Sequence, residues 1–173
     1  YVITATFIVT IVREDPTLAI IEPWIWLLVG LTAIPSVALW SWLATKVGLL
    51  QALAAACTLE AIGVALSVEL PSTLGLVLAA TLLGGTFMGI TALGLTAART
   101  LSTGTPQRAI AYATASFALG QAIGPVLAGV MVDWLGSFRL PSLIAAAALL
   151  ISAGLCLWAK TQSPKAAVSG SSG

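Results

Sequence analysis

Residues 110–132 read IAYATASFALGQAIGPVLAGVMV, an uncharged and mostly apolar run set between Arg108 and Asp133. At about 1.5 Å of rise per residue, a helix of that length covers the roughly 30 Å hydrocarbon core of a bilayer. Working outward, four further runs have the same character, at residues 140–159, 73–98, 47–68 and 24–44. Residues 1–12 are apolar but too short to cross. They read as the second half of a helix whose beginning lies before Tyr1, and no basic stretch marks them as a signal peptide. Numbered in chain order, these are the first to sixth segments.

Composition agrees with a lipid-immersed chain. Of the 173 residues only 8% are charged and 59% are hydrophobic, with a mean hydropathy of +1.07. Soluble domains carry about 25% charged residues, and so few charges could not cover a water-facing surface. The expected fold is therefore an all-α membrane protein, a transmembrane helical bundle over residues 1–160. Residues 161–173, rich in Ser, Gly and Ala, read as a flexible tail. The net charge of +1 argues against nucleic-acid binding. Histidine is absent, and Cys57 and Cys156 lie inside apolar runs, so no metal site, disulfide or cofactor is expected.

The charges sort by side. If the chain crosses at every segment, one face receives Lys46, Arg99, Arg108, Lys160 and Lys165 and no acid. The other receives Arg13 and Arg139 with Glu14, Asp15, Glu22, Glu69 and Asp133. Basic loops resist translocation, so the first face is expected in the cytoplasm together with the C-terminus. That corresponds to a multi-pass protein of the cell's inner (cytoplasmic) membrane.

Two turns resemble each other, SWLATKVG at 41–48 and GVMVDWLG at 129–136. They look like degenerate copies of the G-x-x-x-D-R-x-G loop motif of the major facilitator superfamily (MFS). Gly129, Asp133 and Gly136 match it, with Trp134 in place of the Arg. In the earlier copy Lys46 and Gly48 match approximately, while Ser41 and Thr45 depart. The strings YVITATF at 1–7, GGTFMGITAL at 84–93 and FALGQAIGP at 117–125 resemble the YbfB/YjiJ-like bacterial branch of that superfamily. The resemblance implies the C-terminal six-helix half of a twelve-helix transporter, its first helix truncated. It implies a central cavity lined by the first and fourth segments, and a rocking interface formed by the second and fifth with an N-terminal half outside this chain.

Candidate functional residues follow from both readings. Tyr1, Thr4 and Phe7 lie on adjacent turns of the first segment, which the resemblance places at the cavity. Phe87 and Thr91 stand at i and i+4 in the fourth segment, so an aromatic ring and a hydroxyl share a face. Gln121 is an amide deep in the fifth segment and needs a partner there, whether another helix, water or a substrate. Gly85 and Gly89, and in the fifth segment Gly120, Gly124, Ala128 and Gly129, allow close helix approach. Pro125 permits a bend beside them. Glu60 is the one ionisable residue deep in a segment, which makes it a candidate for proton coupling or for a structural hydrogen bond.

The expected activity is secondary transport of a small organic solute by alternating access, with the bilayer, the N-terminal half and the solute as partners. A non-transporting scaffold or receptor is the alternative. An intramembrane enzyme is disfavoured, since the chain has no histidine and no segment holds a pair of acids. The orientation gives a first prediction. In a background lacking Cys57 and Cys156, a cysteine at Ser72 should react with an impermeant thiol reagent in intact cells. Cysteines at Ser102 and Ser163 should be shielded, and the reverse pattern would overturn the orientation.

Overall fold

The computed structural model describes residues 22–70, 72–102 and 104–162. They form five helices: α1 (Glu22–Val47), α2 (Leu49–Glu69), α3 (Thr73–Leu101), α4 (Pro106–Leu135) and α5 (Arg139–Gln162). These correspond to the second to sixth segments, and each is long and apolar enough to cross a membrane. The first segment, with Tyr1, Thr4 and Phe7, lies outside the described residues, as do Arg13, Glu14, Asp15 and Lys165. The described fold is thus all-helical with five spans.

Several helices run past their apolar stretches. Hydropathy marks the depth of the hydrocarbon, whereas a helix continues into the headgroup layer until something caps it. At the start of α3 the Ser72 hydroxyl accepts the Gly75 N–H at 3.2 Å, a cap that satisfies one of the unpaired first-turn donors. Helix α4 starts at Pro106 rather than near Ile110, because proline in the first turn has no N–H to leave unpaired. It ends at Gly136, whose φ of 63° is left-handed and whose N–H reaches Val132 O at 2.7 Å. Between α1 and α2 a single residue, Gly48 at φ 101°, turns the chain. Among the described residues, Gly48 and Gly136 are the two with positive φ, and they occupy matching places in the two similar turns.

Helix α3 is central. It packs extensively along α1 and α2 and more lightly against α4, while α2 also packs along α5. The seams are lined by small residues. Ala79 and Ala80 of α3 meet Ile25 and Val29 of α1. Ala52, Ala54 and Ala56 of α2 meet Leu93 of α3 and Ala153 of α5. Small residues let backbones approach where lipid removes the hydrophobic driving force, leaving dispersion and hydrogen bonds to hold the bundle. At Gly84 a Cβ would collide with the Val29 carbonyl and the Thr32 hydroxyl of α1, and at Gly89 with the Trp40 ring. Across the far seam, Arg139 donates to Glu69 through Nε at 2.7 Å and a terminal nitrogen at 3.0 Å, tying the end of α2 to the start of α5.

The surface is inverted relative to a soluble protein. Large apolar side chains such as Ile34, 77% exposed, Leu74, Ile151 and Val126 face outward, which suits apolar surroundings rather than water. Trp24, Trp42, Trp134 and Trp158 are exposed within a few residues of helix ends, where indoles favour the headgroup layer.

The Gly84 contact is testable. Gly84→Ala places a methyl against a backbone carbonyl that cannot move aside, and should cost about 1–3 kcal/mol, read as a lower unfolding midpoint in detergent. Gly154→Ala, where a Cβ meets open space, should leave the midpoint unchanged or raised.

Candidate functional site

A half-open cavity of about 470 Å³ is walled by α2, α3, α4 and α5. Helix α2 contributes Leu53 and Cys57, and α3 contributes Ile90, Thr91, Gly94 and Leu95. Helix α4 adds Ala113, Thr114 and Phe117, and α5 adds Leu149, Ser152 and Cys156. No charged side chain is among them, and the polar groups are three hydroxyls and two thiols. Both thiols are free, Cys57 buried and Cys156 half-buried, and they reach the same cavity from neighbouring helices.

The hydroxyls are not equivalent. Thr91 Oγ1 donates to the Phe87 carbonyl at 3.0 Å, and Ser152 Oγ to the Ala148 carbonyl at 2.9 Å. Both hydrogens are spent on the residue's own helix, the usual fate of hydroxyls in apolar helices. Thr114 makes no hydrogen bond among the described residues and keeps a donor for the cavity. Of the expected substrate-path residues, the structure places Thr91 in this wall and leaves Phe87, half-buried one turn earlier, outside the lining. Gln121 is half-buried one turn beyond Phe117 and is not in the lining. Thr114, Ser152 and the thiol pair were not singled out by sequence. Scattered Ser, Thr and Cys in apolar helices look alike until packing shows which of them share a space.

The glycines of α3 divide differently from the sequence reading. The close approach expected from Gly85 and Gly89 is made instead by Gly84 and Gly89, because a Cβ on Gly85 would meet open space. Gly85 takes part through its carbonyl, which accepts from Ser36 Oγ at 2.9 Å and from Trp40 Nε1 at 2.7 Å. On α4, Ala128 is buried, Gly124, Pro125 and Gly129 are half-buried, and Gly120 is exposed. A Cβ at Gly120 or Gly129 would meet nothing within 4 Å.

Glu60 lies in the α2–α3 seam rather than in the cavity wall, and is 1% exposed. Thr86 Oγ1 stands 3.3 Å from its Oε2, 2.6 Å from the Leu82 carbonyl and 3.5 Å from the Leu83 carbonyl, so one hydroxyl hydrogen faces three acceptors. Ala52, Ala56, Gly63 and Ser67, on the same face of α2, are buried with it. Lys46 and Asp133, the charged members of the two similar turns, are both exposed. Among the described residues no cluster of three or more potential ligands could hold a metal ion.

An uncharged cavity among long apolar helices is suited to holding a small, weakly polar molecule inside a membrane. Comparison with curated proteins gives no match, and comparison with solved structures gives none. The family model described as "Uncharacterised MFS-type transporter YbfB" matches residues 1–157, nearly the whole chain. The chain is therefore a multi-pass membrane protein that belongs to the YbfB-type family of MFS transporters.

Proposed function

We propose that this chain is one half-bundle of a secondary transporter that moves a small uncharged or amphipathic organic solute by alternating access. Family membership supports transport in general. The observation that carries the solute class is the cavity wall, which offers hydrocarbon, the Phe117 ring and the Thr114 hydroxyl but no charge. A solute with a net charge would leave water there without a counter-charge, at a cost of many kcal/mol. Glu60 is enclosed away from the wall against Thr86, which favours a structural hydrogen bond over proton coupling. In this reading Tyr1, Thr4 and Phe7 complete the solute path. The partner half docks on α1 and α4, whose outer faces are broadly apolar and exposed, and the basic ends face the cytoplasm across the inner membrane. Chemistry on the solute is not part of the proposal, and MFS transporters are typically non-enzymatic.

The test uses the full-length protein in proteoliposomes, with a transported solute found by screening. Thr114→Val keeps the shape and removes the hydroxyl. The loss of one neutral hydrogen bond should raise KM by about 2- to 10-fold with Vmax little changed. An unchanged KM would place the solute elsewhere.

Alternation itself is tested at Gly124, which lies one turn from both Gly120 and Ala128 and directly before Pro125. Overpacking a close contact costs about 1–3 kcal/mol. A cost that falls on one of two alternating packings shifts their ratio by up to about a hundredfold. Gly124→Leu should therefore accumulate normally and lose nearly all flux, and Gly124→Ala should lose less. Wild-type flux in Gly124→Leu would remove α4 from the moving interface.

A further inference from the structure

The glycines of α3 are of two kinds. A Cβ added at Gly75 would collide with Leu70, at Gly84 with Val29 and Thr32, and at Gly89 with Trp40. At those positions a neighbour already occupies the space. At Gly85 and Gly94 a Cβ would meet nothing within 4 Å. Close packing therefore accounts for neither, although glycine inside a helix is less stable than alanine. Gly85 lies outside the cavity lining, whereas Gly94 is part of it.

The position of Gly94 within the lining says where its missing side chain would go. An α-helix turns about 100° per residue. Seen down α3, Ile90, Gly94, Thr91 and Leu95 follow one another in that order across an arc of about 140°, and all four line the cavity. Gly94 thus stands inside the lining arc, with a lining side chain on either side. A Cβ there is directed into the cavity and meets no atom. The absent side chain is therefore part of the cavity's volume. At about 470 Å³ that volume lies in the lower half of the range of roughly 300–1,000 Å³ typical of small-molecule sites. In an apolar pocket of limited size, one methylene changes discrimination between molecules by about 10- to 200-fold.

We propose that Gly94 determines the size of molecule this cavity accepts, its missing side chain leaving the room that admits the bulkier members of a weakly polar solute class. Thr114 and Gly94 then divide the work of the wall, the one offering a hydroxyl and the other offering space. The proposal rests on the reading of the cavity as the solute site, but its test contains no solute. A null result for Thr114→Val would move the solute elsewhere and leave the measurement below untouched.

The chain's two cysteines, Cys57 and Cys156, both line the cavity, so the cavity carries its own reporters. Cys156 is half-buried and the more accessible of the two. The experiment uses the full-length protein in lipid nanodiscs, with Cys57→Ala in every sample. It is treated with methyl methanethiosulfonate or with its bulkier benzyl counterpart. Both reagents are uncharged, and each transfers its alkylthio group to the thiol with release of methanesulfinate. Mass spectrometry of the peptide that bears Cys156 gives the two rates. Gly94→Val adds a side chain that is stiff at χ1. It should slow the benzyl reagent by about tenfold or more and the methyl reagent by less than about twofold. Gly94→Ala should show a smaller selective slowing, and it carries the test should Gly94→Val not accumulate. Gly154→Val, where a Cβ meets open space outside the lining, should change neither rate. An unchanged benzyl rate in the Gly94 variants, or equal slowing of both reagents, overturns the proposal. So does the same selective slowing in Gly154→Val, or a wild-type Cys156 that neither reagent reaches.

Discussion

The bundle depends on one absence, the missing side chain at Gly84. Helix α3 touches α1, α2 and α4, and at Gly84 it lies too close to the Val29 carbonyl of α1 to admit a side chain. In water such a crossing could be held by burial of large apolar side chains. In lipid, leucine gains nothing by leaving hydrocarbon for protein, so dispersion and hydrogen bonds must hold the helices, and both need short distances. Closeness at Gly84 brings Ser36 and Trp40 within reach of the Gly85 carbonyl. The same rule shapes the other seams, where alanines of α2 meet α3 and α5 and where a Cβ on Gly63 would stand 2.9 Å from the Leu82 Cβ.

The spans were legible in the sequence because their cause is one-dimensional. A run such as 110–132 must be helical in hydrocarbon whatever its neighbours do, since only internal pairing satisfies its peptide groups. The turns were legible where glycine has a conformational task, as at Gly48 and Gly136. The cavity was not legible, because Thr91, Thr114 and Ser152 become neighbours only through packing. The choice between Gly84 and Gly85 as the contact was equally hidden, since it turns on the angle at which α1 crosses α3. Glu60 lies between. Its four small companions on one face of α2 pointed it toward protein, but that its neighbour would be Thr86 of α3 needed the fold.

What separates a structural from a functional hydroxyl in this bundle is where its hydrogen goes. Thr81, Thr91, Thr96 and Ser152 donate to the carbonyl four residues back on their own helix. That bond satisfies the group locally and makes it nearly apolar to its surroundings. Ser36 forgoes that bond and reaches across to α3. Thr86 divides its hydrogen between its own helix and Glu60. Thr114 uses neither outlet among the described residues. The same side chain is therefore filler or fastener according to its partner, and composition alone cannot tell these apart.

This sorting bears on which contacts survive relative motion of the helices. A polar group that is satisfied locally costs nothing when the helices move, because its bond travels with its own helix. A bond that crosses between helices must survive the motion or be exchanged during it. The three α1–α3 bonds at Gly85 and Gly89 are at least partly buried, 2.7–3.1 Å long, and join three donors to two acceptors. Breaking them in lipid would leave peptide groups without water to replace the lost partners. That cost favours keeping α1 and α3 together. Helix α4 packs most lightly of the five described helices. Ala128 is its buried residue among those described, and a Cβ at Gly120 or Gly129 would meet open space. The packing therefore divides between a hydrogen-bonded α1–α3 pair and a lightly packed α4, with the uncharged pocket wall reaching both α3 and α4.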